Sequence, residues 1–180
     1  MNNMTNDEKV QYLQKIIDQH LSNEVKLVIT EDVAAYNAAA KVTTSPAYII
    51  KTREILLHPY ILDLSNNCII SQVGHEIGHL FYKHHERHLN EANVKDIKDD
   101  ISLPDFKDFL DKHLPRNFHN REIEADLYPI VSGLLTPREN FEGVNELFKK
   151  LASIGISPEE SITHPHFETR LMILASYIDE

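Results

Sequence analysis

The feature that most restricts this chain is a pair of histidines, His75 and His79, within Ser71-Gln72-Val73-Gly74-His75-Glu76-Ile77-Gly78-His79-Leu80. In a helix, at ~100° per residue, the two imidazoles share one face and can reach a single ion. The neighbouring apolar residues favour a helix: Ile69, Ile70, Val73, Ile77, Leu80 and Phe81 recur at helical spacing and form one stripe. His75 and His79 fall opposite that stripe, whereas histidines of an ordinary core would sit within it. H-E-x-x-H on such a helix is a Zn2+ arrangement. Two neutral imidazoles hold the ion, water takes an open position, and Glu76 removes that water's proton as it attacks a carbonyl. The expected chemistry is peptide hydrolysis.

Ser65, Asn66 and Asn67 are good N-cap residues for this helix. Gly74 and Gly78 each cost it up to ~1 kcal/mol relative to alanine, which has a purpose if another backbone or a substrate must come close. The helix is expected to run to His84 or His85. His84 falls on the stripe side and reads as structural, while His85 and His88 read as surface residues.

Around it the chain alternates short β-like runs with helical ones. Thr5 and Glu8 form a capping box ahead of Val10, Leu13, Ile16, Ile17 and Leu21. Val25–Thr30 and Ala47–Ile50 read as strands, and Glu54–His58 as a short strand or a turn of helix before Pro59. Glu86–Arg116 shifts to Asp and Lys and reads as a charged excursion on the cleft rim, either a lid or a solvated connection, with a short helix at Asp105–His113. Arg121 to about Leu135 is expected to be helical, capped by His119 or Asn120, kinked by Pro129, with Ile123, Leu127, Ile130, Val131 and Leu134 inward. Thr136-Pro137 starts a further helix ending near Gly155, Ser157–Glu160 caps a brief turn, and Thr163-His164-Pro165 opens a last helix.

At 180 residues the chain fits a single domain spanning 1–180 with a real core. Its formal charge of -10, with no basic stripe, argues against nucleic acid and acidic lipid surfaces as partners. Cys68 is the one cysteine and reads as a small buried thiol, which fits a reducing compartment. The polar N-terminus lacks an apolar signal core and no run approaches the ~20 residues of a membrane span, so a soluble, cytoplasmic protein is expected.

A catalytic zinc needs a third protein ligand, and the motif does not continue as H-E-x-x-H-x-x-G-x-x-H. Downstream, Arg121-Glu122-Ile123-Glu124-Ala125-Asp126 begins a helix. Here the sequence resembles the gluzincin metallopeptidases of the CAAX prenyl protease and HtpX type, and among them the small soluble minigluzincins. Their E-x-x-A-D motif is matched by Glu122, Ala125 and Asp126. The resemblance implies that Glu122 binds zinc and that Asp126 supports a zinc histidine. Tyr36-Asn37-Ala38-Ala39-Ala40 is similar to the family's N-A-F-A segment, which precedes the strand edging the cleft, here expected at Ala47–Lys51. Thr163-His164-Pro165 with Arg170-Leu171 is similar to its T-H-P-x-x-x-x-R-I element. Pro129 replaces the family's usual small helix former, and the family's membrane helices are absent.

Glu122 and Glu124 are ~200° apart around a helix, so one alone can face the metal. Glu122 shares its face with Asp126 and is flanked by the small Ala125, Pro129 and Gly133, which would let this helix approach Gly74 and Gly78. Without the zinc motif, a Glu and an Asp one turn apart would read as a solvated face. His164 could cap a helix or line the site, and Arg170 could pair with a carboxylate or line it too.

The expectation is an α+β, zincin-like fold, with a small antiparallel sheet packed on the H-E-x-x-H helix and a helical lower half supplying Glu122. It would be a zinc endopeptidase acting on peptide or protein substrates: His75, His79 and Glu122 hold Zn2+, Glu76 is the general base, and His164 assists the oxyanion. The rival readings are a regulatory protease with one specific partner and a catalytically silent zincin-fold binding module. Nothing in the sequence specifies the oligomeric state.

Overall fold

The helix that carries both histidines is the element on which most of the others pack. The structure is a computed structural model in which residues 1, 4–21, 25–44, 50–84, 115–156 and 164–178 are described. The helix expected at 105–113, nearly all of the charged excursion, His85, His88, the Ser157–Glu160 turn and most of the strand expected at 47–51 lie outside the described residues.

Five helices and a three-stranded sheet make an α+β fold among the described residues. Helix α1 (Asn6–His20) begins at the expected capping box, with Thr5 and Glu8 satisfying each other's backbone N–H groups, and buries Leu13, Ile16 and Ile17. Strands β1 (Val25–Ile29), β2 (Ala38–Thr44) and β3 (Ile50–Leu57) lie in the order β1-β3-β2. β2 and β3 are antiparallel, but β1 runs parallel to β3, Leu27 standing opposite Ile55. The sheet is therefore mixed rather than antiparallel. The β2–β3 pair returns into the slot beside β1, and alternation along a strand encodes which face is buried but not the direction of its neighbour. The cleft-edge strand also differs from expectation, since Ala38-Ala39-Ala40 lies within edge strand β2 instead of preceding it.

After a 3-10 turn at Pro59–Asp63, helix α2 (Asn66–Phe81) starts at Ser65, whose side chain accepts the Cys68 N–H. It is buried on nearly every side, with Phe81 exposed. One side of it, through Ile69, Val73, Ile77 and Leu80, joins α1 and the sheet in the larger core cluster. Its Cys68 belongs to a second cluster with Val144, Leu147, Phe148 and Leu174. Burial pushes the Cys68 thiol up to about 12, as expected of a packed, inert side chain. The helix stops before His84 because Lys83 takes a left-handed conformation, φ 55°.

Helix α3 (Pro115–Val131) begins six residues earlier than expected and passes Pro129 two residues before its end. Its buried face also differs. Arg121, Glu122, Ala125, Asp126, Tyr128 and Pro129 are buried, whereas Val131 is 74% exposed and Ile123, Leu127, Ile130 and Leu134 are only partly covered. Close contact explains this. A Cβ on Gly74 would stand 2.8 Å from Pro129 Cγ, and one on Gly78 would stand 2.9 Å from Tyr128 Cβ and 3.1 Å from Ala125 Cα. The small residues seat α3 on α2, and the polar side chains beside them are buried in consequence.

Helix α4 (Pro137–Ser153) is capped by Thr136 as expected, and Glu139 closes a capping box there as well. Helix α5 (Phe167–Ser176) is capped by His166, whose Nδ1 accepts the Glu168 N–H, so His164 lies ahead of the helix and does not open it. Among the described residues no helix is long and apolar enough to cross a membrane.

Candidate metal centre

His75 and His79 project from one face of α2, and Glu122 meets them from α3. The two Nε2 atoms are 3.0 Å apart, with Glu122 Oε1 3.3 Å from His79 Nε2 and Oε2 3.5 Å from His75 Nε2. Among the described residues these three form the group whose ligand atoms, all within 4.8 Å of one another, could hold a metal ion. Donors about 2.0–2.2 Å from a tetrahedral ion stand roughly 3.3–3.5 Å apart, which the two Glu122 distances match, while the imidazoles stand closer, at hydrogen-bonding distance. The donor set also asks for a ligand, since Glu122 Oε2 is buried and accepts no hydrogen bond among the described residues.

Electrostatics give the same picture. Burial favours neutral His75, but the hydrogen bond to Asp126 and the nearby carboxylates of Asp126 and Glu122 outweigh it and push its pKa up to about 10. Burial likewise disfavours ionised Glu122, yet the imidazoles of His75 and His79 beside it hold its carboxyl well below the usual range. The cluster is thus built to hold positive charge, and a bound cation would take the place of the proton.

Asp126, one turn beyond Glu122, accepts the His75 Nδ1–H at 2.9 Å. That leaves His75 Nε2 turned toward His79 and Glu122. Arg170 of α5 grips the same carboxylate through Nε at 2.6 Å and Nη2 at 2.5 Å, while its Nη1 lies 3.8 Å from Glu122 Oε2. Both sequence readings of Arg170 therefore hold: it pairs with a carboxylate and stands at the site. From α4, the fully buried Asn140 donates to the Asp126 backbone carbonyl at 2.8 Å.

Glu76 is buried but does not join the ligand group. Its Oε2 accepts the Ala40 N–H of β2 at 2.5 Å, which ties the motif helix to the edge strand. His164 sits at the mouth, its side chain 52% exposed and its Nε2 3.4 Å from Glu122 Oε2. Desolvation on its inward side holds its pKa below the ordinary value against the opposing pull of Glu122.

Two residues at the centre were not assigned to it from the sequence. His84, 2% exposed, places Nδ1 2.8 Å from His79 Nδ1 and Nε2 3.0 Å from Glu124 Oε2. Glu124, the carboxylate set aside as a ligand, is therefore part of the surroundings of His79. The available signals were slight: a histidine just past the motif helix, and a second acid two residues from the first.

No protein-family model matches this sequence, and neither curated proteins nor solved structures yield a match.

Proposed function

We propose that this chain is a zinc-dependent endopeptidase of the gluzincin type, with His75, His79 and Glu122 as metal ligands and Glu76 as general base. The observation that carries the proposal is the meeting of the H-E-x-x-H pair with a buried, hydrogen-bond-deprived carboxylate oxygen of Glu122. When bound, zinc would supply Lewis-acid polarisation of the substrate carbonyl and of water.

The protein's own groups fit the remaining roles. Glu76 is fixed through Oε2 by the Ala40 N–H, which leaves Oε1 to take a proton from the attacking water and return it to the leaving nitrogen. β2 is the sheet edge nearest this carboxylate, so an extended peptide adding to its outer side would be led past Glu76 by main-chain hydrogen bonds. His164, half exposed at the mouth, is placed to donate to oxyanion charge on the substrate. Arg170 and Asp126 keep His75 turned to the ligand cluster.

Metal analysis of the purified protein, with peptide hydrolysis assayed before and after chelation, tests this reading. About one zinc per chain is expected, with activity lost on chelation and restored by zinc. Protein that neither contains nor takes up zinc would refute it.

A further inference from the structure

We infer that His84 and Glu124 are positioning residues that fix the tautomer of His79, so that its Nε2 presents a lone pair to the metal. The inference rests on the zinc reading above and extends it to side chains that touch no ligand position.

The argument is one of proton counting. The two Nδ1 atoms of His79 and His84, 2.8 Å apart, can share one hydrogen, and either ring could supply it. If His84 donated, its neutral ring would turn a bare Nε2 toward the Glu124 carboxylate, setting lone pair against lone pair at 3.0 Å. His79 would then carry its own proton on Nε2, against His75 and the buried Glu122 oxygens, where it would block coordination. In the reverse order both of these His84 contacts are satisfied. His84 Nε2–H donates to Glu124, His84 Nδ1 accepts, and His79 Nδ1–H donates, leaving Nε2 bare. Glu124, an acceptor with no proton to give when ionised, decides the direction.

The fold builds this relay deliberately. On a continuous helix His84 would lie five residues past His79, ~140° around the axis and out of reach. The left-handed turn at Lys83 swings it back, and Tyr82 stacks on its ring with centroids 5.6 Å apart. His75 and His79 thus receive carboxylates by different routes, His75 from Asp126 directly and His79 from Glu124 through an intervening imidazole. Both carboxylates come from α3, one turn or less from Glu122, so the helix that brings the third ligand also orients the first two.

Nitrogen-15 labelling of the histidines, read by long-range proton–nitrogen correlation, gives the tautomer of each ring directly. His79 should be protonated at Nδ1 and His84 at Nε2, with a scalar coupling between the two Nδ1 atoms, in metal-free and zinc-loaded protein alike. His84→Phe fills the ring space without an acceptor and should weaken zinc binding about 10- to 100-fold. His84→Asn, whose amide oxygen reaches close to the place of Nδ1, should restore most of that loss. Glu124→Ala, at a side chain 45% exposed and so tolerant of change, should shift His84 away from its Nε2–H form. A metal-free His79 protonated at Nε2, or a folded His84→Phe that binds zinc with wild-type affinity, would overturn the inference. Failure of the wild-type chain to bind zinc would instead overturn the peptidase reading, while the tautomer measurement still decides the pairing.

Discussion

Arg170 holds Asp126 through two parallel hydrogen bonds in a buried site, and Asp126 in turn holds His75. The three residues belong to three different helices. Arg170→Ala leaves a buried carboxylate facing Glu122 without its cation, and removing one partner of such a pair costs about 3–5 kcal/mol. Denaturant unfolding of the metal-free variant should show that loss. Asp126→Asn strands the Arg170 guanidinium in turn, with Glu122 3.8 Å away as its remaining anion, so it too should lose stability, and it should bind zinc more weakly than wild type.

Glu76→Gln should retain zinc and fold, because the amide oxygen can still accept the Ala40 N–H in the same space. Without a proton acceptor, hydrolysis should fall by at least ~10²-fold, the lower range for loss of a general base. Steady-state kinetics beside a metal titration check both halves. Wild-type turnover in the variant would remove Glu76 from the role.

Gly78→Ala tests how closely the two helices approach. Intrinsic helix propensity alone would make it stabilising by ~1 kcal/mol. The new methyl, however, meets Tyr128 Cβ at 2.9 Å and the Ala125 backbone at 3.1 and 3.3 Å, atoms that cannot swing aside. Overpacking of this kind costs about 1–3 kcal/mol, so a net loss of stability is expected by thermal melting, with weaker zinc binding as Glu122 is pushed back. A gain in stability would show that α3 can retreat without cost.

Thr136→Ala should destabilise the protein by about 1 kcal/mol, the usual value of an N-cap side chain. Glu139 closes the same box, and its hydrogen bonds to the Thr136 backbone and side chain hold its carboxyl below the ordinary value. A carboxyl with a lowered folded pKa contributes stability above its unfolded pKa and loses it as pH falls through the folded one. The penalty of the substitution should therefore be full near neutrality and shrink in acid below the ordinary glutamate range, as chemical denaturation across pH would record.

Local features of this architecture could be read directly from residue order. The Thr5–Glu8 capping box, the Thr136 cap, the shared face of His75 and His79, and the use of Gly74 and Gly78 for close approach all depend on neighbours within a few residues or on one helix surface. The helix expected from Arg121 was harder to place. Its apolar residues suggested a face that remains only partly covered, while its buried face carries Arg121, Glu122 and Asp126, whose burial depends on α2 and α5. The parallel pairing of β1 with β3 is a relation between distant strands and leaves no periodic trace. His84 is buried, in keeping with its structural reading, but its contact with His79 depends on the backbone of Lys83, an exposed lysine whose side chain gives no hint of a left-handed turn.

The tie between Ala40 and Glu76, together with the grip of Arg170 on Asp126, joins residues far apart along the chain. Contacts of such long sequence separation incur their loop-closure entropy before they are rewarded, and so tend to form late in folding. A chain still emerging during synthesis, with α2 complete and α5 not yet docked, would hold both motif histidines but lack the Arg170 grip that orients His75. The orientation of His75 would then be complete only once α5 has docked.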